Sequence, residues 1–348
     1  MSKSRPQAYH RPSITDVAER AGVSISTVSR VINQNAPVAE ETARRVRAAI
    51  ADLRYVPHAP AQMLASRKTS TLGLLVPLIT TDFFAPTLRG VEAGARDAGY
   101  DLLIYSSRRG KHPKGEFQHP LGEHNTDGLV IFLNSLKDSE IARLHSRDFP
   151  IVLLHQLPPD SLDIPYITFD NKGGACDIVD HLIQVHNRRR IAYLRGPVFA
   201  HDSVWREAGY RESLDAHGIP FDPALVGFGG YDVEYAKATV GGWIEEGLEI
   251  DAIFAGDDES ASGAIMALRE AGRRVPDDVA VVGFDDVNLA RHLTPSLTTV
   301  YAPIEEAGRE AVRQLIRLIH GEQADPLVQL PTRLAIRRSC GCGGQALS

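Results

Sequence analysis

Residues 13–33 read SITDVAERAGVSISTVSRVIN, a pattern of two short helices joined at a glycine. In the first, Ile14, Val17, Ala18 and Ala21 recur at i, i+3, i+4 and i+7, which puts one apolar stripe on a helix face. Ser13 and Asp16 form the Ser-x-x-acid start signal, in which side chains satisfy the amides that a first turn leaves open. Gly22 permits the sharp turn, and Ser24 is placed to cap a second helix. In that helix Val28, Val31 and Ile32 face inward, whereas Ile25, Ser26, Ser29, Arg30 and Asn33 share the opposite face. A small polar face carrying one arginine suits base edges and phosphates in a DNA major groove. The plainer alternative is an ordinary capped helical hairpin.

The next segment favours the DNA reading. Glu40 to Leu53 places Val46, Ala49, Ile50 and Leu53 on one stripe and Arg44, Arg45 and Arg47 outside it, so three helices can close a miniature core. Charge is segregated accordingly: residues 1–68 hold 11 Lys and Arg against 5 Asp and Glu, leaving 27 against 39 in the remainder. The chain is basic at one end only, as expected when one small module meets phosphate.

Past about residue 70 apolar strands alternate with amphipathic helices. Candidate strands run over residues 71–78, 101–105, 128–133, 151–155, 190–194, 252–255 and 279–283. Helices are expected over 84–98, 139–146, 174–186, 203–217, 235–246, 260–271 and 304–320. Strand, helix, strand in repetition implies parallel sheets covered on both faces, with ligands at the carboxyl ends of the strands. The strands are too many for one sheet, and two α/β lobes flanking a cleft, as in periplasmic sugar-binding proteins, accommodate them. A composition of 43% hydrophobic and 24% charged residues supports packed cores rather than disorder in a chain of 348 residues.

The string TDVAERAGVS-STVSRVIN, the following LRYVPHAPAQMLA, and then FAGDDESASGA, VAVVGFDD and PSLTTV, in this order and at these spacings, resemble the LacI/GalR family of bacterial transcription regulators over essentially the whole chain. The resemblance implies an N-terminal all-α helix-turn-helix headpiece followed by an α/β periplasmic-binding-protein-like core of two doubly wound parallel-sheet lobes. The division expected is 1–57 headpiece, 58–69 hinge helix or linker, 70–340 effector-binding and dimerisation core, and 341–348 tail. Within the core, lobe one takes 70–169 and 302–326, and lobe two takes 170–301 and 327–340.

Several site residues follow from the resemblance. Ser24, Ile25, Ser26, Thr27, Ser29, Arg30 and Asn33 occupy the DNA-facing helix. Tyr55 to Ser70 is too short and proline-interrupted to hold a helix alone. The family's corresponding segment folds on the operator, where paired leucines pry open a minor-groove step; Leu64 matches that lever and Ala61 the close-packing alanine. His58 stands where an asparagine is usual, and Pro60 falls within the hinge. The alternative for this segment is a plain linker.

In the core, Arg206, Tyr231, Asp257 and Asp285 match effector-contacting positions, with Asp82, Phe83 and Phe84 on the ligand-facing loop of lobe one and His155 at a polar-contact position. Carboxylates and a guanidinium in one crevice can grip hydroxyl pairs, and an aromatic ring can stack on a sugar's apolar face. Asp257 replaces the family's usual asparagine, exchanging an amide for an acceptor-only group. Asp258 and Asp286 are expected only to cap helices, and one of Phe83 and Phe84 to belong to the core.

These readings combine into a transcriptional regulator, expected to be a repressor, binding a palindromic operator in double-stranded DNA as a homodimer. One headpiece reads too few base pairs alone, whereas two related by a two-fold axis multiply the discrimination. The effector expected is a small molecule, with a carbohydrate favoured and a purine or other nucleobase as the alternative. A sugar-binding receptor or a glycosidase is the rival class, because paired carboxylates in a cleft describe those too. No nucleophile elbow, phosphate-binding loop or His-Glu-x-x-His helix supports an enzyme. No apolar run is long enough to span a bilayer, and MSKSRPQAYHRPS lacks a signal core, so a cytoplasmic location and no membrane partner are expected. No cofactor or metal is expected. Three cysteines do not make a disulfide framework, and Cys340-Gly-Cys342 lacks a second ligand pair for a zinc site and is read as a tail feature with no assigned chemistry.

Overall fold

A computed structural model of the chain describes residues 12–33, 36–55, 69–77, 79–106, 121–159 and 162–343. The chain divides into two compact units, Met1–Thr69 and Ser70–Ser348.

The first unit is the expected three-helix headpiece. Helix α1 (Ile14–Ala21) opens on a complete capping box: the Asp16 amide donates to Ser13 Oγ at 3.3 Å, and the Ser13 amide donates to Asp16 Oδ2 at 2.7 Å. Gly22, at φ 64°, ends α1 in the left-handed conformation. Helix α2 (Ile25–Asn33) starts under Ser24, whose Oγ accepts from the Thr27 amide at 3.2 Å. Helix α3 (Glu40–Leu53) closes the unit, and Val17, Ala18, Ala21, Val28, Val46, Ala49 and Tyr55 form its core. Arg20 pairs with Asp52 at 3.2 Å and ties α1 to α3.

The second unit is built on two six-stranded sheets. In chain order its elements are β1 (Thr71–Val76), α4 (Phe84–Asp97), β2 (Asp101–Ser106), β3 (Gly128–Phe132), α5 (Asp138–His145), β4 (Ile151–Leu154) and β5 (Tyr166–Phe169). There follow α6 (Asn171–Gln184), β6 (Ile191–Arg195), α7 (His201–Ala216), β7 (Val226–Phe228), α8 (Val233–Glu245), β8 (Ala252–Ala255) and α9 (Asp258–Glu270). The last are β9 (Ala280–Asp285), α10 (Asn288–His292), β10 (Thr298–Tyr301), α11 (Ile304–Ile319), β11 (Leu327–Leu330) and β12 (Arg333–Ala335). The first sheet has the order β11-β5-β4-β3-β1-β2 and is parallel throughout; the second is β12-β10-β9-β8-β6-β7, with only its β12 edge antiparallel. The central strands are continuous apolar runs, TLGLLV in β1 and GLVIF in β3, because helices cover both faces.

The chain passes between the sheets three times: after β5, after β10 and after β11. The third passage corrects the sequence-based division. Leu327–Leu330 pairs in parallel with β5 at the edge of the first sheet, so the return to lobe two falls between Leu330 and Arg333 and not at 326/327. Strands β5, β7, β10, β11 and β12 were not expected; each is only three or four residues long and has no apolar run to mark it. Helix α6 begins at Asn171, three residues earlier than its apolar pattern, because Asp170 Oδ1 caps it by accepting from the Gly173 amide at 3.0 Å.

A second correction concerns Cys340 and Cys342. The C-terminal segment after β12 runs back along lobe two, where Ser339 Oγ donates to the Val281 carbonyl and the Val281 amide donates to the Ser339 carbonyl. That path sets the two thiols against His181 and His186 at the far end of α6. The fold thus brings two histidines that are distant in sequence to the two cysteines.

Candidate functional site

In the headpiece, α2 presents Ser24, Ile25, Ser26 and Arg30 to solvent, and Ile25 is 47% exposed although it is a large apolar residue. Ser24 Oγ lies 2.8 Å from Ser26 Oγ and 2.9 Å from Thr27 Oγ1, so the three hydroxyls form one polar cluster at the helix start. Thr27 and Ser29 are half-buried and Asn33 closes the helix. Among the described residues Arg44 and Arg47 pair with Glu41 and Glu40, whereas Arg30 and Arg45 have no acidic partner. His58, Ala61 and Leu64 lie outside the described residues.

In the second unit, the strands of both sheets deliver their carboxyl ends to one inter-lobe cleft. Helix α7 supplies two of its groups from one face, because Asp202 and Arg206 are four residues apart. Arg206 is 2% exposed, and its guanidinium is committed to protein partners: Nε donates to Asn171 Oδ1 at 2.8 Å, Nη1 to the Gly256 carbonyl at 2.5 Å and Nη2 to Asp285 Oδ1 at 2.9 Å. The guanidinium carbon also lies 3.7 Å from the centre of the Phe284 ring. Burial works against its charge, but Asp285, Tyr231, Asp202 and Tyr193 together outweigh it and raise the Arg206 pKa. Arg206 therefore acts first as the support of Asp285.

Asp257 takes the capping role expected of Asp258. Asp257 Oδ1 accepts from the Ser260 amide at 2.9 Å and is the cap of α9. Asp258 is buried inside lobe two, accepting from the Val287 amide at 2.8 Å and from Thr299 Oγ1 at 2.5 Å. Asp286 caps no helix either; it pairs with Arg337 and, at 3.5 Å, with Arg291. Because one oxygen suffices for a cap, Asp257 keeps a second for other use. Burial pushes its carboxyl up to about 7, with Asp285 adding to the rise. Asp285 is raised as well, by burial, against the opposing charge of Arg206.

Tyr231 stands between β7 and α8 at φ 60°. Its ring lies over Gly196: a Cβ built there would come 2.2 Å from the Tyr231 ring, so only glycine admits it. The Tyr231 hydroxyl is buried and has no hydrogen-bond partner among the described residues.

On lobe one, Phe84 is buried in the core, whereas Phe83 is half-buried and packs edge-on against it, ring centres 5.7 Å apart. His155, at φ 57°, sits with its ring centre 4.5 Å from that of Phe169 and 5.7 Å from that of Phe83. Its Nδ1 lies 3.2 Å from Asp202 Oδ2 across the cleft, and its Nε2 is buried without a partner among the described residues. Burial acts to raise the Asp202 pKa, but His155, Arg206 and Thr168 together outweigh it and hold the carboxyl below its usual range. Asp82 bridges the lobes at the cleft mouth. Its amide donates to Glu259 Oε1 at 3.2 Å, and its Oδ2 accepts from the Leu289 amide at 3.2 Å.

Four further residues belong to this site. Asn171 and Thr168 orient Arg206 and Asp202, Thr168 Oγ1 donating to Asp202 Oδ1 at 3.2 Å. Asn134, at φ 52° after β3, has a buried Nδ2 with no partner among the described residues. Only the i, i+4 spacing of Asp202 to Arg206 could have pointed to one of them in the sequence.

The chain is similar to known proteins over nearly its whole length. The profile of bacterial regulatory proteins of the lacI family matches residues 13–58, and that of the periplasmic binding protein-like domain matches 179–340. The HTH-type transcriptional regulator CelR of Thermobifida fusca is 34% identical over 336 residues, covering 94% of this chain and 98% of CelR. The chain belongs to the LacI family. Catabolite control protein A of Priestia megaterium is 31% identical over 94% of this chain and 98% of its own length. Among solved structures, the lac repressor dimer bound to operator and the anti-inducer ONPF superposes with a TM-score of 0.77 at 26% identity, covering 95% of this chain and 99% of that one. The CelR-cellobiose complex superposes at 0.69 with 33% identity, covering 94% and 100%. As a LacI-family member the protein is a transcriptional regulator with a helix-turn-helix domain and a periplasmic-binding-protein-like domain, and not an enzyme. Among the described residues no helix is long and apolar enough to cross a membrane.

Proposed function

We propose that this LacI-family protein is a repressor that binds a palindromic operator as a homodimer and is controlled by a neutral carbohydrate in the inter-lobe cleft. The observation that carries the effector class is the pair of buried, unpartnered polar atoms, Tyr231 Oη and His155 Nε2, beside the carboxylates of Asp202, Asp257 and Asp285. A buried polar atom without a partner costs about 1–3 kcal/mol, which a ligand hydroxyl would recover. Carboxylates accept from several hydroxyls at once, and Arg206 is already neutralised by Asp285, so a phosphorylated ligand finds no free cation there. The solved CelR-cellobiose complex is 33% identical to this chain.

On the DNA side, Ser24, Ile25, Ser26, Thr27 and Ser29 are read as groove-facing residues, Arg30 as a phosphate contact and Asn33 as the end of that face. His58, Ala61 and Leu64 form the hinge contact in the minor groove. Edge strand β2 leaves Leu103 and Ile104 41% and 47% exposed, which suits burial against a second copy. Effector closing the lobes changes the separation of the paired hinges, a coupling of about 1–3 kcal/mol per site.

The test is selection of bound sequences from random duplex DNA by the purified protein, repeated with cellobiose, glucose, ribose and purine bases. A palindrome enriched without ligand and lost with one sugar is the expected result. A response confined to a purine base would replace the carbohydrate reading, and no enrichment under any condition would remove the regulator's proposed DNA contacts.

A further inference from the structure

We propose that lobe two holds a structural zinc ion bound by His181, His186, Cys340 and Cys342. The four candidate ligand atoms all lie within 4.8 Å of one another. Cys342 Sγ is 3.3 Å from His186 Nε2 and 3.7 Å from His181 Nε2. Zn–S bonds of about 2.3 Å and Zn–N bonds of about 2.0 Å at tetrahedral angles require sulfur-to-nitrogen edges of roughly 3.5 Å, and the two distances bracket that value. The His181 and His186 rings meet edge to face with centres 5.0 Å apart, so their lone pairs can converge without stacking.

The chemistry of the cluster agrees with its geometry. Two thiolates and two neutral imidazoles make a closed tetrahedral set and select zinc over the harder divalent cations. On binding, each thiol releases one proton; Zn2+ with two thiolates is electrically neutral, so the buried Cys340 needs no further counter-charge. Thr298 Oγ1 lies 3.1 Å from Cys340 Sγ and can donate to the thiolate, as groups behind metal ligands commonly do.

The backbone is shaped for the cluster. Gly341, at φ 110°, lets the Cys-Gly-Cys turn lie against His186; a Cβ there would come 3.2 Å from His186 Nδ1 in a conformation side chains rarely adopt. The ion would fasten the C-terminal segment to α6. That helix begins at Asn171, which holds Arg206, and the same C-terminal segment carries Arg337, which holds Asp286 beside Asp285. The cluster thus pins both supports of the cleft from behind. It shares no residue with the cleft, and its existence does not depend on which effector binds.

Metal content of the tag-free full-length protein decides the question. Expected is about one zinc per chain, and a cobalt-substituted form showing the d–d and thiolate charge-transfer bands of a tetrahedral S2N2 site. Cys342→Ser and His186→Ala should each weaken metal affinity by about tenfold or more, and chelation should lower the Tm by about 5 °C. Cys176→Ser, which touches none of the four ligands, should retain the metal. Failure of the wild-type protein to take up zinc or cobalt stoichiometrically after reduction overturns the proposal, whatever the variants do. Full retention of metal by Cys340→Ser/Cys342→Ser overturns it equally.

Discussion

Arg206 Nη2 meets Asp285 Oδ1 at 2.9 Å in a buried ion pair, and Asp285 is held there at a backbone φ of 103° that side chains seldom adopt. The guanidinium neutralises a carboxylate which the fold has both buried and strained. Arg206→Ala would leave that charge unpaired, at a cost of about 3–5 kcal/mol. Urea unfolding should show this loss, with effector binding abolished by calorimetry. An unchanged stability would mean that Asp285 is protonated and does not need its partner.

The Asp82 bridge should govern effector affinity. Removing the acceptor for the Leu289 amide, in Asp82→Ala, forfeits about 0.5–1.5 kcal/mol, or roughly two- to twelvefold in Kd. Asp82→Asn retains an acceptor oxygen and should bind nearly as well as the parent in isothermal titration. Equal losses in the two variants would assign Asp82 a direct charge contact with the effector in place of a bridging role.

Asp257 should make stability depend on pH in a stated direction. Its folded pKa of about 7 lies above an ordinary unfolded value of about 3.9. Between these values the native state binds more protons, so the contribution is fully present below about pH 4 and is lost as pH rises through 7. Asp257→Asn keeps an oxygen for the Ser260 amide and does not titrate. It should gain about 1–3 kcal/mol over the parent at pH 8, with the gain vanishing near pH 4; a gain independent of pH across thermal melts would show that Asp257 is ionised throughout.

The headpiece face separates two kinds of DNA contact. Exchanging Ile25 and Ser26 should shift the selected operator sequence, while Arg30→Ala should weaken all sequences alike and reduce the salt slope by about one. Filter-binding titrations across a salt series distinguish them. A shifted sequence preference from Arg30→Ala would place that side chain on a base.

Much of this was legible residue by residue. The Ser13–Asp16 box, the Gly22 turn and the Val17, Ala18, Ala21 stripe are signals contained within one or two turns of helix, and the headpiece forms where they place it. The long central strands were equally visible, because sheets covered on both faces demand uninterrupted apolar runs. Strands β11 and β12 were not, since Leu327–Leu330 and Arg333–Ala335 are short edge strands of partly exposed residues and take their sheet only from the neighbour they meet.

The side-chain chemistry divides along the same physical line. That Asp257, Asp258, Asp285 and Asp286 gather at strand ends follows from the order of elements along the chain. Which of them caps a helix, which supports an ion pair and which keeps a free oxygen depends on amides and guanidinium groups brought in from Ser260, Val287, Arg206 and Arg337. Local periodicity determined the elements, because it acts over neighbouring residues. Only tertiary packing could set His181 and His186 against thiols more than 150 positions away, since no interaction along the chain reaches that far before the lobes have closed.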